Sequence, residues 1–202
     1  MLTMWRYLLL TLFGFSFESS DACCSPKQWS ASIIDTVGEY NQGTDSASLA
    51  YVLRKYYYDG ATDSIAYFEE SSNTTFHAKT STHVITNYQQ GRRYIVLDNN
   101  CTVDVIKTQM PSACIPDNAT HLGRHNYPAG VQVDMWFWEG KGEEGGRRLG
   151  VTVDTCLPLT EALLSTRSGR DFILRTSSYQ NVTVGISDPT AFTIPTFCKT
   201  DA

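Results

Sequence analysis

Residues 181–198, NVTVGISDPTAFTIPTFC, are the stretch that decides how this chain folds. Val182 and Val184 alternate with polar residues, which is the period-2 pattern of a strand with one buried face. Asp188 and the proline after it predict a short helical turn, because a carboxylate caps a first turn in which proline is tolerated. The stretch therefore predicts a final strand, a capped turn and a tail that Cys198 fastens to the rest of the domain.

Residues 1–22 have the pattern of a secretory signal peptide rather than of a folded element. Arg6 precedes an apolar run over 7–17, which is too short to cross a bilayer comfortably. Small residues, Ser20 and Ala22, predict cleavage after Ala22. Residues 23–202 would then form a single domain outside the cell, with the lysosomal lumen as an alternative on the same route.

Composition argues against partners of high negative charge. The chain has 16 Lys and Arg against 21 Asp and Glu, a formal net charge of −5, and no basic cluster. A nucleic-acid or anionic-membrane surface would need such a cluster. No stretch after residue 22 has the run of about 18 apolar residues that a membrane span needs.

All six cysteines follow the predicted cleavage site. An even number in a secreted chain predicts three disulfides. A metal site is the alternative, but the adjacent Cys23 and Cys24 and the wide later spacings match no zinc pattern. Six cysteines can pair in many ways, and the spacings alone do not choose among them.

Four sequons predict exposed asparagines that a secretory pathway can glycosylate. They begin at Asn73, Asn100, Asn118 and Asn181. Asn73 and Asn118 are the stronger candidates because turn-forming residues surround both.

Most of the remaining chain has the residue pattern of β-strands. No long stretch has apolar residues at the 3.6-residue spacing of an amphipathic helix. Glycine-rich residues 140–146 predict a solvated loop, and residues 111–130 are irregular, with room for a short helix. Many short strands predict an antiparallel sandwich or barrel-like sheet. The predicted strands are 29–37, 46–58, 62–70, 83–88, 93–98, 103–107, 131–138, 149–156, 161–166, 171–177 and 182–186.

Two motifs resemble those of the ependymin-related proteins. The run GISDPTAFTIPTFC at 185–198 resembles their C-terminal signature, and CCSPKQW at 23–29 resembles their Cys-x-x-Pro-x-Gln-Trp. The resemblance extends over nearly all of residues 23–202. It implies an all-β, strongly curved antiparallel half-barrel or two-sheet fold with one or two short helices, like bacterial lipoprotein carriers. It also implies a deep apolar pocket, dimers and an association with calcium, although no EF-hand loop occurs here and no calcium ligands can be assigned.

The same resemblance implies two disulfide pairs. Cys23 matches the family's N-terminal cysteine, whose partner corresponds to Cys156. Cys101–Cys198 matches a second family pair. Cys24 and Cys114 are left over, and we infer that they form the third bridge, although vertebrate members place their third bridge elsewhere.

Some strands are apolar on both faces, which requires a cover on both sides from a second layer, a ligand or a partner subunit. In residues 131–138, the face with Trp136 and Trp138 is apolar as well as the opposite one, and Trp136 matches the family motif. We predict a pocket on one face and a homodimer contact, including Trp136, on the other. The predicted pocket residues are Tyr51, Leu53, Val133, Met135, Phe137, Val151 and Val153.

The sequence contains no motif that predicts a catalytic or metal site. His121 and His125 have metal-ligand spacing only on a helix, and a glycine lies between them. Paired Glu143 and Glu144 lie among glycines, where carboxylates are more often solvated than catalytic. We predict a non-enzymatic, secreted protein that binds a lipid or other apolar molecule. The alternative is an extracellular adhesion, matrix or signalling protein whose pocket is incidental.

Overall fold

The computed structural model describes residues 23–73, 79–140, 144–167 and 171–198. These residues contain two single-turn 3-10 helices, Pro128–Gly130 and Pro189–Phe192. The strands are β1 Gln28–Asn41, β2 Ser46–Asp59, β3 Ser64–Asn73, β4 Lys79–Asn87, β5 Arg92–Leu97, β6 Asn100–Val105, β7 Thr120–Asn126, β8 Gln132–Glu139, β9 Glu144–Thr152, β10 Pro158–Arg167 and β11 Asp171–Val184.

The described strands form one antiparallel sheet, so the all-β prediction is confirmed and a second sheet is not found among them. The strand order is β6-β5-β4-β3-β2-β1-β11-β10-β9-β8-β7. The first and last strands therefore pair at the centre, and the two edges come from the middle of the sequence. Trp29 of β1, for example, lies opposite Val184 of β11.

Several predicted boundaries were wrong, three of them in ways that change the fold. The strands expected at 171–177 and 182–186 are one strand, β11, with a bulge where Asn181 adopts a φ of 50°. Residues 120–126, expected to be irregular, form the edge strand β7. The glycine-rich loop ends early, because β9 begins at Glu144 and pairs with β10.

The sheet is strongly curved. Tyr67 of β3 and Trp138 of β8 line the same cavity, although they lie six strands apart in the sheet. At roughly 4.8 Å between neighbouring strands, a flat sheet would hold these strands about 29 Å apart. We call the face toward the cavity, which carries Trp29 and Tyr58, the inner face, and the opposite one the outer face.

Residues 185–198 cover part of the outer face. Ala191 and Cys198 pack into a buried cluster with Tyr57, Ala66 and Tyr94 from β2, β3 and β5. This burial explains why a short, proline-containing tail is ordered: its apolar residues occupy the outer side of the β2–β6 half of the sheet.

Hydrogen bonds fix the start of the tail at two points after the end of β11. Gly185 has a φ of 89°, and the Ser30 hydroxyl donates to its carbonyl at 2.9 Å and accepts from the Ser187 amide at 3.0 Å. Asp188 then accepts from the Thr190 amide at 3.0 Å, which is the cap predicted for the last turn.

Three disulfides fasten the segment before β1 and the tail after β11 to the rest of the domain. They are Cys23–Cys156, Cys24–Cys114 and Cys101–Cys198. These are the pairs that the resemblance and the two remaining cysteines predict. Cys101–Cys198 ties the tail to β6, and the other two bring the residues before β1 against the loop before β7 and the turn after β9.

Candidate ligand-binding cavity

A cavity of about 310 Å³ lies on the inner face. Strands β1, β2, β3, β8, β9, β10 and β11 contribute to its wall, and residues 111–115 close one side. Its volume is within the range of about 300–1,000 Å³ that is usual for small-molecule sites. It is the larger of the two cavities that we consider in the described part of the chain.

Aromatic rings form one end of this cavity. Trp29 stacks on Tyr58 with ring centroids 5.7 Å apart and lies 5.3 Å from Tyr56. Tyr56 in turn stacks on Tyr67 at 6.4 Å. Burial raises the pKa of the Tyr56 phenol above its ordinary value, so this phenol stays protonated at neutral pH. The end is therefore uncharged and mainly apolar.

Positively and negatively charged side chains alternate from one strand to the next across the inner face. We call this set of residues the charged row. The row runs from β3 to β9 and consists of Glu69, Arg54, Asp35, Arg175, Glu161 and Arg147. All except Glu69 line the cavity.

Two arginines of the row are paired. Arg54 donates to Glu69 at 2.7 Å and also forms an ion pair with Asp35, whose side chain is 1% exposed. Burial lowers the pKa of the Arg54 guanidinium, but the neighbouring charges, Asp35 first, hold it above its ordinary value. Arg147 donates to Glu161 at 2.5 Å, and the carboxylate also accepts from the Tyr179 hydroxyl at 2.8 Å.

Three buried polar atoms on the cavity wall have no hydrogen-bond partner among the described residues. They are Arg175 Nε, Asp35 Oδ1 and Trp29 Nε1. Such atoms are rare in native structures because each loses its bonds to water on burial. All three lie on the cavity wall, so the wall carries unsatisfied polar atoms beside the aromatic rings.

Most of the predicted pocket residues lie elsewhere, which corrects the sequence-based assignment. Of the seven, only Val151 lines the cavity, while Met135 borders a smaller outer-face cavity of about 180 Å³. The alternation along β2 and β8 shows which residues share a face but not which face turns inward. The six that do not line the inner cavity are Tyr51, Leu53, Val133, Met135, Phe137 and Val153.

The tryptophans of β8 also lie on the opposite face to that predicted. Trp138 lines the cavity with the Arg147 guanidinium 5.5 Å from its ring centre, and Trp136 is buried in the core. Trp136 is therefore not a dimer contact. On the outer side of β8, Val133 and Met135 are buried within the chain, and a Cβ at Gly150 would lie 2.7 Å from the Met135 sulfur. Glycine in β9 thus makes room for the large residues of β8.

An exposed apolar patch occupies the centre of the outer face, which the tail does not cover. Leu53 of β2 lies opposite Ile34 of β1, and Leu174 of β11 lies opposite Leu164 of β10. We call this the outer apolar patch. Its exposed members are Ile34, Tyr40, Leu49, Tyr51, Leu53, Leu164, Phe172 and Leu174.

The structure does not bring His121 and His125 together as metal ligands. His121 and His125 pair with Trp136 and Val133, which lie on opposite faces of β8. His121 instead shares Asp134 with Arg124. The described residues contain no group of three or more His, Cys, Asp or Glu that could hold a metal ion. Since Ca²⁺ takes six to eight oxygen ligands, they do not fit the calcium association that the resemblance implies.

Three sequon asparagines, Asn100, Asn118 and Asn181, are exposed. Asn73 is the last residue of β3, and its side chain lies outside the described residues, as does Glu143. Among the described residues, no helix has the length and apolar character to span a membrane.

Comparison with known proteins gives a family match over most of the chain. The family model described as Ependymin matches residues 76–198. Ependymin-related protein 2 from Haliotis asinina is 24% identical over 204 residues, covering 95% of this chain and 96% of the relative. Ependymin-related protein 1 from the same organism is 25% identical over 201 residues, covering 94% and 96%.

Solved structures with similar folds are more distant. An uncharacterized conserved protein from Thermus thermophilus is 10% identical with a TM-score of 0.49, covering 85% of this chain and 87% of that one. A LolA superfamily protein from Nitrosomonas europaea is 7% identical, with a TM-score of 0.32 and coverage of 82% and 90%. LprF from Mycobacterium bovis is 10% identical, with a TM-score of 0.34 and coverage of 79% and 89%. At TM-scores below 0.5, these similarities carry no functional inference.

Proposed function

This chain belongs to the Ependymin family, and on that premise we propose that it is a secreted, non-catalytic protein that holds a lipid-like molecule in its inner cavity. The observation that carries the proposal is the cavity of about 310 Å³, which joins an aromatic end to a charged row. We propose further that residues 1–22 are removed on secretion and that 23–202 act as one domain.

The aromatic end supplies the driving force for binding. Removal of apolar surface from water is worth roughly 25 cal/mol per Å², so a ligand that buries on the order of 400 Å² gains about 10 kcal/mol. Association and ordering cost at least about 4 kcal/mol of that gain. The net of about 6 kcal/mol corresponds to a Kd of roughly tens of micromolar.

Titration of delipidated protein with a fluorescent fatty acid tests the proposal. Wild-type protein should show saturable uptake. Ala113→Trp should weaken it at least tenfold, because Ala113 lines the cavity on the loop that closes it and a large ring there takes up ligand space. Ala61→Trp is the matched control, since Ala61 is exposed in the β2–β3 turn.

Two results would reject the proposal. One is the absence of saturable uptake by the wild-type protein, and the other is equal uptake by Ala113→Trp and Ala61→Trp. Either would favour the adhesion, matrix or signalling function, in which the outer face rather than the cavity does the work.

We also propose that the outer apolar patch joins two copies of this chain. Its members lie on four adjacent strands and form a broad exposed surface that no described segment covers. A stable interface buries about 1,200–2,000 Å² in total, which a broad sheet face can supply. The patch replaces the β8 contact predicted from the sequence.

Light scattering tests the dimer. Leu53→Asp puts a charge into the patch at a side chain that is 49% exposed, so the fold should tolerate it and the dimer should dissociate. Val105→Asp is the matched control, because Val105 is exposed on the edge strand β6, outside the patch. A monomeric wild type at micromolar concentration would exclude this dimer.

A further inference from the structure

We propose that the Cys24–Cys114 disulfide is a thiol-exchange site, and that its reduction loosens the segment that closes one side of the inner cavity. This segment, residues 106–119, runs from the end of β6 to the start of β7, and we call it the strap. The inference rests in part on the proposed function, because it assigns a means of regulating ligand entry to the same cavity.

The strap crosses the open side of the curved sheet. It connects β6 and β7, which are the two edge strands, so it passes from one edge of the sheet to the other. Its residues 111–115 line the inner cavity, and the Tyr58 hydroxyl on the inner face donates to the Pro111 carbonyl at 3.2 Å. Movement of the strap away from the sheet would therefore open the cavity on that side.

The noncovalent attachment of the strap near the disulfide is short. Among the strap residues, all of which the structure describes, only Ile115 is buried. The Ile115 amide donates to the Cys23 carbonyl at 2.8 Å, and the Ser25 amide donates to the Ala113 carbonyl at 2.8 Å. These two bonds flank an isolated β-bridge at the disulfide. Because short two-stranded pairing is at best marginally stable in water, we expect the covalent link to keep the strap in place.

The same disulfide is the most accessible of the three. Of the six cysteines, all within the described residues, Cys24 is exposed, and the others are half-buried or buried. Exchange requires a thiolate to reach a disulfide sulfur, so exposed bridges are typically the labile or regulatory ones. The Cys101–Cys198 bridge instead belongs to the cluster under the tail, where Cys198 is 7% exposed. A reductant should therefore open the bridge of Cys24 first.

The exchange balances with a dithiol, either free or in an oxidoreductase. One thiolate of the dithiol attacks Cys24 Sγ, the bond between the two protein sulfurs breaks, and Cys114 leaves as a thiolate that takes up a proton. The second thiol of the reductant then attacks the mixed disulfide, which releases Cys24 and closes a disulfide within the reductant. The bridge gains two electrons and two protons, and the dithiol loses the same number. Cys23–Cys156 still fastens the segment before β1.

Limited reduction with dithiothreitol, followed by iodoacetamide and peptide mapping, tests the exchange site in the secreted protein. Cys24 and Cys114 should be alkylated at least tenfold faster than the four other cysteines. Equal or faster alkylation of another bridged pair would overturn the proposal, because exposure would then not determine which bridge opens.

Amide hydrogen exchange measures whether the strap loosens. In the reduced and alkylated protein, the Ile115 amide should exchange at least tenfold faster than in untreated protein. The Thr193 amide, which is hydrogen-bonded in the last turn of the tail, should stay within a factor of about two. Cys24→Ser/Cys114→Ser should behave alike without an alkyl group, which controls for the bulk of the adduct. Unchanged exchange at Ile115 would overturn the proposal, and the alkylated wild type decides alone if the double variant does not fold.

Stopped-flow mixing of delipidated protein with a fluorescent fatty acid relates the bridge to the cavity. The association rate constant of the reduced and alkylated protein should exceed that of untreated protein at least tenfold. If both forms take up the fatty acid at the same rate, regulation of entry fails and the proposed function stands. If neither form takes it up, the proposed function fails and regulation of entry fails with it, while alkylation and hydrogen exchange still decide whether the bridge is an exchange site that holds the strap.

Discussion

Replacing Arg54 with methionine should destabilise this protein strongly, because it leaves a buried carboxylate without its cation. The Asp35 side chain is 1% exposed, and its Oδ1 already has no hydrogen-bond partner. Breaking a buried ion pair by removal of one partner costs about 3–5 kcal/mol. For a chain of this size each kcal/mol shifts Tm by about 2–4 °C, so the expected fall is roughly 6–20 °C.

The double variant Asp35→Leu/Arg54→Met is the informative control. It removes both charges and replaces them with apolar side chains, an exchange that is often neutral or stabilising by about 1–4 kcal/mol. We therefore expect it to recover most of the loss seen in Arg54→Met. Urea unfolding at pH 7 with disulfides intact, followed by tryptophan fluorescence, measures all three proteins. An Arg54→Met variant within about 1 kcal/mol of wild type would show that water solvates Asp35 and would refute the reasoning.

The other predictions concern bridges, modification and acid stability. Non-reducing peptide mapping should recover a Cys24–Cys114 peptide, and replacing both cysteines with alanine should cost roughly 4–5 kcal/mol in the chain-entropy model for the 90-residue separation; a peptide that joins Cys114 to another cysteine would contradict the pairing. Protein from a eukaryotic secretory host should carry an N-glycan on the exposed Asn118, detected as heavy-oxygen labelling on glycosidase release, and an unlabelled site would contradict it. The arginine partner of Asp134 lowers the pKa of that carboxyl, so its stabilisation is present above the unfolded pKa of about 3.9 and disappears as pH falls through the folded value; Asp134→Asn should therefore be less stable than wild type at pH 7, the difference should shrink as the pH falls below about 3.9, and a difference that does not shrink in acid would argue against this origin.

The long strands were predictable from residue types that favour strands. Residues 46–58 are rich in tyrosine and end at Asp59-Gly60, and the structure has β2 there with almost the same bounds. Strand β7 was not predictable in this way, because its side chains are mostly exposed and polar and Gly123 lies at a bulge. An edge strand of this kind has only one neighbour, so its sequence carries little of the alternation that marks a central strand.

The cavity was harder to predict than the strands, since its location depends on which way the sheet curves. Both faces of β8 are apolar, and on the outer one Val133 and Met135 are buried, with Met135 packed closely against Gly150. The charged row had no sequence signal of its own. Asp35, Arg54 and Glu161 come from three strands, and only the register brings them to one face.

The pairing of the first strand with the last determines when this protein can fold. Trp29 and Val184 meet at the centre of the sheet, so the two halves of the sheet cannot join until β11 has left the ribosome. The meanders β1–β6 and β7–β11 can each form from local contacts, but until β1 and β11 pair, each exposes an unpaired strand edge. Pairing β1 with β11 closes a loop that contains nearly the whole domain. Closing it is entropically costly and makes folding slow, which leaves time for the cysteines to mispair. We therefore expect production of this protein to depend on a host that supplies disulfide isomerase and chaperones to the full-length chain.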